Sequence, residues 1–564
     1  MKKSLLCFLI LLMVPLASVA YDFEVDGIYY KLTGSSSVAV TYKSNDTHPY
    51  YGHITIPSTV NYNNKSYAVT SIGDWAFDDC SSLTSVTIPN GVTSIGKEAF
   101  WGCSGLTSIT IPEGVTEIGS EAFVGCSGLT SITIPEGVTS ISNSTFCGCS
   151  GLTSITIPKS VTAIGDGAFS SCSGLTSITF SESVTSIGED AFADCSSLTS
   201  ITIPESVTSI GDGAFWDCSS LTSITIPERV TSIGDFTFGG CSGLTSITIP
   251  EGVTSIGEGA FQDCSGLTSI TIPEGVTSIN DRAFWDCSSL TSITIPESVT
   301  SIGDSAFANC FGLTSVICKS KKPASYKGHD VVFTSYQPRL IIPIGSEDAY
   351  AFATEWWNFK NRSVFKTFDH AVATFADAEK IDLDNAYQVG DENTFAAAAT
   401  KDLKSYQFTG SAVNGTIYGT EVKGIVPAGT GLLMTGTEGA TYVFPLTSED
   451  ATADVSGNKL VGVTKDSDLS TLTDGNSHYV YDNDGFRLQS TGTIAANKAY
   501  LSLPTSDTDK INVSLGGATT GIEDIATDNE DHGAWYTLDG VKVNEKPTAK
   551  GLYIHNGKKV IVSK

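Results

Sequence analysis

Eleven cysteines of this 564-residue chain stand in register with eleven phenylalanines. Phe77, Phe100, Phe123, Phe146, Phe169, Phe192, Phe215, Phe238, Phe261, Phe284 and Phe307 recur every 23 residues, and a cysteine follows each by three, from Cys80 to Cys310. Thiols can pair, bind metal or attack a substrate. Thirteen cysteines beyond Cys7, in a chain that starts like a secreted one, first suggest a disulfide framework. Copies of one site in stacked repeats, however, point the same way about 5 Å apart. Parallel Cβ vectors do not suit the near-perpendicular disulfide dihedral. A ladder of buried free thiols, acting as small apolar groups, is the expectation. Zinc fails on spacing, because Cys147-Gly148-Cys149 has no second pair and no nearby histidine. A cysteine or serine nucleophile lacks its base, because the seven histidines (His48, His53, His329, His370, His478, His532 and His555) all lie outside residues 54–328.

Carboxylates are abundant, but a glycosidase needs two of them at a set separation across a cleft. Asp382, Asp384 and Asp391 could supply such a pair, and turn formation explains them as well. Asp482 and Asp484 before Gly485 look like the start of a calcium loop, yet the remaining ligand positions are missing and a hairpin turn fits better. No phosphate-binding or dinucleotide fingerprint occurs. The sequence therefore predicts no catalytic residues, no cofactor and no metal. The formal charge of −29 excludes nucleic acid and anionic membrane surfaces as partners.

A period of 23 marks a solenoid, in which each repeat is one turn of a coil packed on the next. In residues 106–128, Leu106 to Ile111 is β-branched and alternating, hence a strand, which Pro112 ends. Glu113-Gly114 turns, Val115 to Ile118 is a second short extended piece, and Gly119 permits a bend. Ala122-Phe123 then opens a short helical turn that closes on Cys126. Leu106, Ile109, Ile111, Val115, Ile118, Ala122, Phe123 and Cys126 face inward. Ordering 23 backbones at ~1–2 kcal/mol each exceeds what eight apolar side chains return, so one rung cannot fold alone and a stack can.

The pattern L-x-x-I-x-I-P-x-x-V-x-x-I-G-x-x-A-F-x-x-C-x-x resembles the BspA-like leucine-rich repeats of bacterial surface proteins. Leu83, Val86, Ile88, Val92, Ile95, Ala99, Phe100 and Cys103 hold its hydrophobic places, and the match covers residues 71–318. Phe180-Ser181 in place of Ile-Pro, and Thr145 and Thr237 in place of alanine, are packing adjustments. The resemblance implies a mainly β leucine-rich-repeat solenoid with a parallel sheet. It also implies non-catalytic adhesion to host matrix or cell-surface proteins, or to other bacteria.

Other segments fall around this core. Residues 1–20 read as a signal peptide, with Lys2-Lys3, an apolar run from Leu5 to Leu16, and small residues before a cut after Ala20. That run is too short to span a bilayer, and no later one is long and apolar enough. Residues 21–70 form an N-terminal cap, with a hairpin turning at Asp26-Gly27 and a degenerate first rung at Ile54-Thr55-Ile56-Pro57. Residues 319–365 form a C-terminal cap. Leu340 to Pro343 is its last strand, Ser346 N-caps a helix over about 347–359, and Trp356, Trp357 and Phe359 seal the core. Residues 366–518, short strands between turn signals, suggest an antiparallel β-sandwich. A glycan-binding or hydrolytic activity there, with the solenoid as spacer, is the competing reading. Residues 519–564 are a linker and a small β module. Its Leu538-Asp539-Gly540, Gly551-Leu552-Tyr553-Ile554 and Lys558-Lys559-Val560-Ile561-Val562 resemble the C-terminal sorting domains of type IX secretion cargo; a plain β-hairpin module is the alternative.

Three outward features could bind a protein. One is the array of Thr107, Ser108, Thr110 and their copies, for which ice or glycan is a further possibility beside plain β propensity. Another is a glutamate after the strand-ending proline: Glu113, Glu136, Glu205, Glu228, Glu251, Glu274 and Glu297. It reads as a solubilising edge or as a docking stripe. With 26 Asp/Glu against 4 Lys/Arg, residues 71–318 carry a net −22, so an electrostatic partner must be basic. Last come the variable places after each phenylalanine, where Trp101, Trp216 and Trp285 are candidate interface anchors.

Overall fold

The computed structural model describes residues 20–43, 49–326, 328 and 330–367, and beyond these a series of segments within 372–515 and 535–562. The chain divides into two compact units, Met1–Ile342 with Asp348–Asn361, and Pro343–Glu347 with Arg362–Lys564. Among the described residues no helix is long and apolar enough to cross a membrane.

The first unit is a mainly β solenoid whose rungs align in three columns. In the first column, strands such as Ser154–Thr156 and Ser177–Thr179 pair in parallel one period apart, Ile155 on Ile178. In the second column the pieces are two residues long, with Ile187 on Ile210. Alternation sets the faces: Ile155 is buried between exposed Ser154 and Thr156. Gly119 lets the second column bend against its neighbour, because a Cβ there would lie 2.5 Å from the Lys97 backbone nitrogen.

The third column carries the Ala-Phe-x-x-Cys segment and differs from the expected helical turn. Two residues four apart are left-handed in each rung, with φ of 54° at Glu98 and 65° at Gly102 on either side of Phe100. Alternate N–H groups point along the stack, whereas a helix would direct them all along its own axis. Phe100 N–H donates to the Ala122 carbonyl of the next rung (2.8 Å), while Cys103 N–H returns to the Phe100 carbonyl (3.2 Å). In the strand columns other donors run the opposite way, Thr116 N–H to Thr93 (2.9 Å) and Gly119 N–H to Ile95 (2.8 Å). Each interior rung is therefore bonded to both neighbours from both directions. The left-handed place before each cysteine holds residues that tolerate it, among them Asp79, Gly102, Asp194 and Asn309.

The core is a file of phenylalanine rings. Phe77 to Phe307 stack with centroids 4.9–5.7 Å apart and planes within 2–14°, inside the favourable range for aromatic pairs. Phe333 adds a twelfth ring at 5.3 Å, and Tyr50 closes the other end 4.6 Å from Phe77. The two substituted alanines are absorbed: buried Thr145 and Thr237 donate their hydroxyls to the Ser142 and Gly234 carbonyls.

Strands continue the stack beyond the repeats at both ends. Phe23–Val25 pairs antiparallel with Ile28–Leu32 across Asp26 (φ 49°) and Gly27 (φ 79°), the left-handed pair of a tight hairpin. Gly52–Thr55 and Arg339–Pro343 add parallel strands at the two ends of the first column. The expected C-terminal helix is shorter: an α-helix spans Glu347–Phe352, and Glu355 (φ 69°) separates it from a single 3₁₀ turn at Trp356–Asn358. Ser346 donates its hydroxyl to the Pro343 carbonyl. Trp356 and Phe359 pack edge-on against Phe333 as expected. Trp357 does not: it is 52% exposed, with the Lys360 ammonium over its ring.

The second unit is built of strands. Thr441–Pro445 pairs antiparallel with both Arg362–Thr367 and Tyr387–Asp391. A nine-stranded sheet runs from Val372–Phe375 to Leu460–Val463. That sheet is mixed rather than purely antiparallel, because Thr416–Glu421 and Lys510–Leu515 run parallel. The turn at 482–485 lies outside the described residues, but its flanking strands close a hairpin, Tyr481 on Phe486. At the C-terminus Gly551–His555 and Lys558–Val562 form the antiparallel pair expected of the terminal module.

Candidate interaction surface

The thiol ladder is committed to the fold. From Cys103 to Cys310, each ladder sulfur donates to the carbonyl of the phenylalanine one rung back, at 3.0–3.2 Å. Burial pushes the Cys126 and Cys310 thiols up to about 12 and Cys80 to about 11, so the nucleophilic thiolate is scarce at neutral pH. All thirteen described cysteines are free, and Cys147 is the one that is only half-buried.

One row of the threonine array, that of Thr107, is similarly occupied, while Ser108 and Thr110, like Ser154 and Thr156, stay exposed on either side of a buried isoleucine. In the first column Thr176 Oγ1 donates to the Thr153 carbonyl (3.0 Å) and Thr314 to Thr291 (3.0 Å). In the second, Thr185 donates to Thr162 (3.1 Å) and Thr300 to Thr277 (3.2 Å). Hydroxyl protons bridging neighbouring rungs are not available to an incoming ligand.

The glutamate row and the tryptophans lie apart. Glu113, Glu136, Glu205, Glu228, Glu251, Glu274 and Glu297 are exposed where the first column ends, and Glu274 pairs with Lys319 at 2.9 Å. Trp101 (39% exposed), Trp216 (42%) and half-buried Trp285 stand in the third column. Trp216 walls a depression of about 350 Å³ lined also by Glu189, Asp190, Asp212, Gly213, Asp235, Phe236 and Gln262. No member of the glutamate row lines it.

Side-chain size along the columns makes this depression. At the place two before phenylalanine, Asp190, Gly213 and Phe236 follow one another. Gly213 is left-handed (φ 61°), and a Cβ there would meet the Asp190 carboxylate at 2.1 Å. At the place after phenylalanine, Trp216 is followed by Gly239, where a Cβ would sit 3.1 Å from the indole Cδ1. Phe236 lies over Gly259 in the same manner, at 2.4 Å from a Cβ. Asp212 and Asp235 anchor the rim, Asp212 Oδ1 accepting the Asp235 N–H (2.9 Å) and Asp235 Oδ1 the Glu258 N–H (2.7 Å). The Asp190 carboxyl is held above its ordinary range, first by lost hydration and then by the charges of Asp194, Asp166 and Asp212. Sequence reasoning selected Trp216 and entered these aspartates only as net charge. The signal available was the sequence of small and large residues at this place, Asp190, Gly213 and Phe236, beside Trp216.

A second depression, about 270 Å³, lies in the other unit among Leu383, Asp384, Leu403, Lys404, Ser405, Glu421, Val422 and Lys423. Of the aspartates considered for hydrolysis, Asp382 is tied into its own turn, accepting from the Asp384 and Asn385 N–H groups and the Asn385 amide. The Asp391 side chain lies outside the described residues. Among the described residues no cluster of three His, Cys, Asp or Glu could hold a metal.

Twenty-three-residue coils stacked through parallel strands and an internal phenylalanine file define a leucine-rich-repeat solenoid. The repeat region belongs to the BspA type: the model described as "BspA type Leucine rich repeat region" matches in six copies, over residues 54–174, 139–266 and 208–325. No curated protein matches the chain. Among solved structures, a leucine-rich repeat protein from Bacteroides ovatus is 30% identical over 57% of this chain and 95% of its own, with a TM-score of 0.46. A leucine rich cell surface protein from Faecalibacterium prausnitzii is 30% identical over 60% and 96%, with a TM-score of 0.42. The pneumococcal vaccine antigen PcpA is 20% identical over 59% and 96%, with a TM-score of 0.37.

Proposed function

We propose that the chain is a secreted or surface-displayed, non-catalytic binding protein that adheres to a protein of the host matrix, a host cell or another bacterium through its solenoid. The observation that carries this reading is the division of labour among the columns. The ladder thiols and the Thr107 row of hydroxyls bond to the neighbouring rung, the file of rings fills the core, and the exposed Ser108 and Thr110 rows repeat almost without change. What varies and stays exposed is the third column, with its tryptophans on a surface of net −22. Half-exposed tryptophan beside uniform polar surface suits an interface anchor, and variation from rung to rung is what specific recognition needs. The leader-like segment 1–20 and the terminal module 519–564 would supply export and surface placement.

The test is capture of host matrix, host-cell and bacterial surface proteins on the immobilised full chain, repeated with Trp216→Ala. Loss of the captured species with Trp216→Ala, at unchanged melting temperature, supports the reading. Capture that depends only on residues 366–518 would transfer the activity to the second unit.

A further inference from the structure

We infer that the depression between Asp190, Gly213, Trp216 and Phe236 is a receptor for one arginine side chain presented by the partner protein. This deepens the protein-binding reading and rests on it. The argument starts from shape. Gly213 removes a side chain between Asp190 and Phe236, and Gly239 removes the one that would crowd Trp216, so an opening of about 350 Å³ is left between their side chains. That volume is near the lower end of the ~300–1,000 Å³ of small-ligand sites, suited to one side chain rather than to a polymer. An aromatic pair, 42%-exposed Trp216 and half-buried Phe236, offers flat apolar faces.

Charge selects the occupant. Glu189, Asp190, Asp212 and Asp235 bring four carboxylates to the same opening, and no Lys or Arg lines it. A guanidinium is planar and weakly hydrated; it stacks on an indole while its N–H fork meets a carboxylate. Lysine has a compact, strongly hydrated head and gains less from the aromatic wall. A neutral sugar could stack on Trp216 but leaves the mutual repulsion of the carboxylates unrelieved. A bound cation relieves that repulsion. Removing both flanking charges should therefore weaken arginine binding about tenfold or more, the loss of about 1.4 kcal/mol.

The experiment uses the full chain carrying fluorotryptophan, with the Trp216 resonance assigned by Trp216→Phe. The probes are Nα-acetylarginine methylamide, its neutral isostere Nα-acetylcitrulline methylamide, and a methyl hexoside. The expected result is a saturable shift with the arginine probe and at least about tenfold weaker response to citrulline. Asp190→Asn with Asp212→Asn, which keeps the Asp212 acceptor for the Asp235 N–H, should abolish that preference with a melting temperature at pH 7 no lower than that of the unaltered chain. Equal response to arginine and citrulline overturns the proposal, as does a hexoside shift that survives both substitutions. If the arginine probe binds as expected and the chain captures no protein, the receptor stands and the adhesion reading fails. If a protein is captured equally by the double variant, adhesion stands and the receptor is wrong.

Discussion

Truncating one ring of the phenylalanine file should open the solenoid locally rather than weaken it evenly. Phe215 is fully buried, with Phe192 at 5.6 Å and Phe238 at 5.7 Å on its two faces and tilts of 7° and 3°. Phe215→Ala removes two stacking contacts, at ~0.5–1.5 kcal/mol each, and leaves a void where the ring was. The whole cost should be about 3–5 kcal/mol, the range for deleting a buried phenylalanine. The backbone bond from Phe215 N–H to the Thr237 carbonyl (3.0 Å) does not need the ring and should survive. Because each repeat contacts only its neighbours, the loss belongs to two interfaces. Hydrogen exchange followed by mass spectrometry should show faster exchange in peptides spanning 190–240, while those around Phe100 and Phe284 keep their protection. Thr222→Ala, which removes only a hydroxyl bonded to the Thr199 carbonyl at 3.2 Å, should cost about 1 kcal/mol. An even loss of protection along the whole stack, or a cost for Phe215→Ala no larger than that for Thr222→Ala, would refute the reasoning.

Three further outcomes follow from the same contacts. In the native chain at pH 8, iodoacetamide should label half-buried Cys147 first and leave the ladder cysteines, whose thiols burial pushes up, until denaturant is added; early labelling of Cys126 or Cys195 would contradict the burial. Cys195→Ser should be tolerated at a cost of about 1–2 kcal/mol, because the Phe169 carbonyl that accepts the thiol at 3.2 Å can accept a hydroxyl, although the shorter side chain reaches it less well; a denaturant midpoint shift beyond that of Phe215→Ala would show the ladder to be more demanding than drawn. Asp190 and Asp217 are held above the usual carboxylate range, Asp217 by lost hydration and then Asp194 and Asp263, so folding favours their protonated forms. Their contribution is fully present below the ordinary carboxylate pKa and is lost as pH rises through the raised values. The melting temperature of Asp190→Asn with Asp217→Asn should accordingly exceed that of the unaltered chain at pH 7 and converge with it near pH 4, and a gap that widens in acid would reverse the sign.

The solenoid was legible because a single spacing carries it. Phe every 23 residues, with Ile, Val and Cys in fixed places, leaves one way to bury eight apolar side chains per rung. The ends were legible where turn chemistry or strand pattern was local, as at Asp26-Gly27 and Leu340 to Pro343. Reading failed where pairing between rungs decides conformation. The Ala-Phe segment has helical composition, but N–H groups such as that of Phe100 find carbonyls on the next coil, and the left-handed residues that allow it cannot be told from surface Asp and Gly in one copy. Phe333 was missed because it follows Phe307 by 26 residues, outside the period. Trp357 was placed inside because three aromatics close together look like one lid; the left-handed Glu355 re-aims the chain so that Trp356 and Phe359 enter and Trp357 does not. At the candidate site, Trp216 was legible as a departure from repetition. Its acidic neighbours were not, since Glu189, Asp212 and Asp235 come from three rungs and meet only when the rungs stack.

The most direct test of where the chain recognises its partner is zero-length carbodiimide cross-linking of the captured protein to the full chain, with the joined carboxylates mapped by mass spectrometry. Our account predicts bonds from partner lysines neighbouring the docked arginine to Glu189 and Asp235, with Asp190 and Asp212 held by the guanidinium and left unjoined, and all of these bonds diminished by Trp216→Ala. Cross-links confined to the Glu113–Glu297 row, or to residues 366–518, would contradict it.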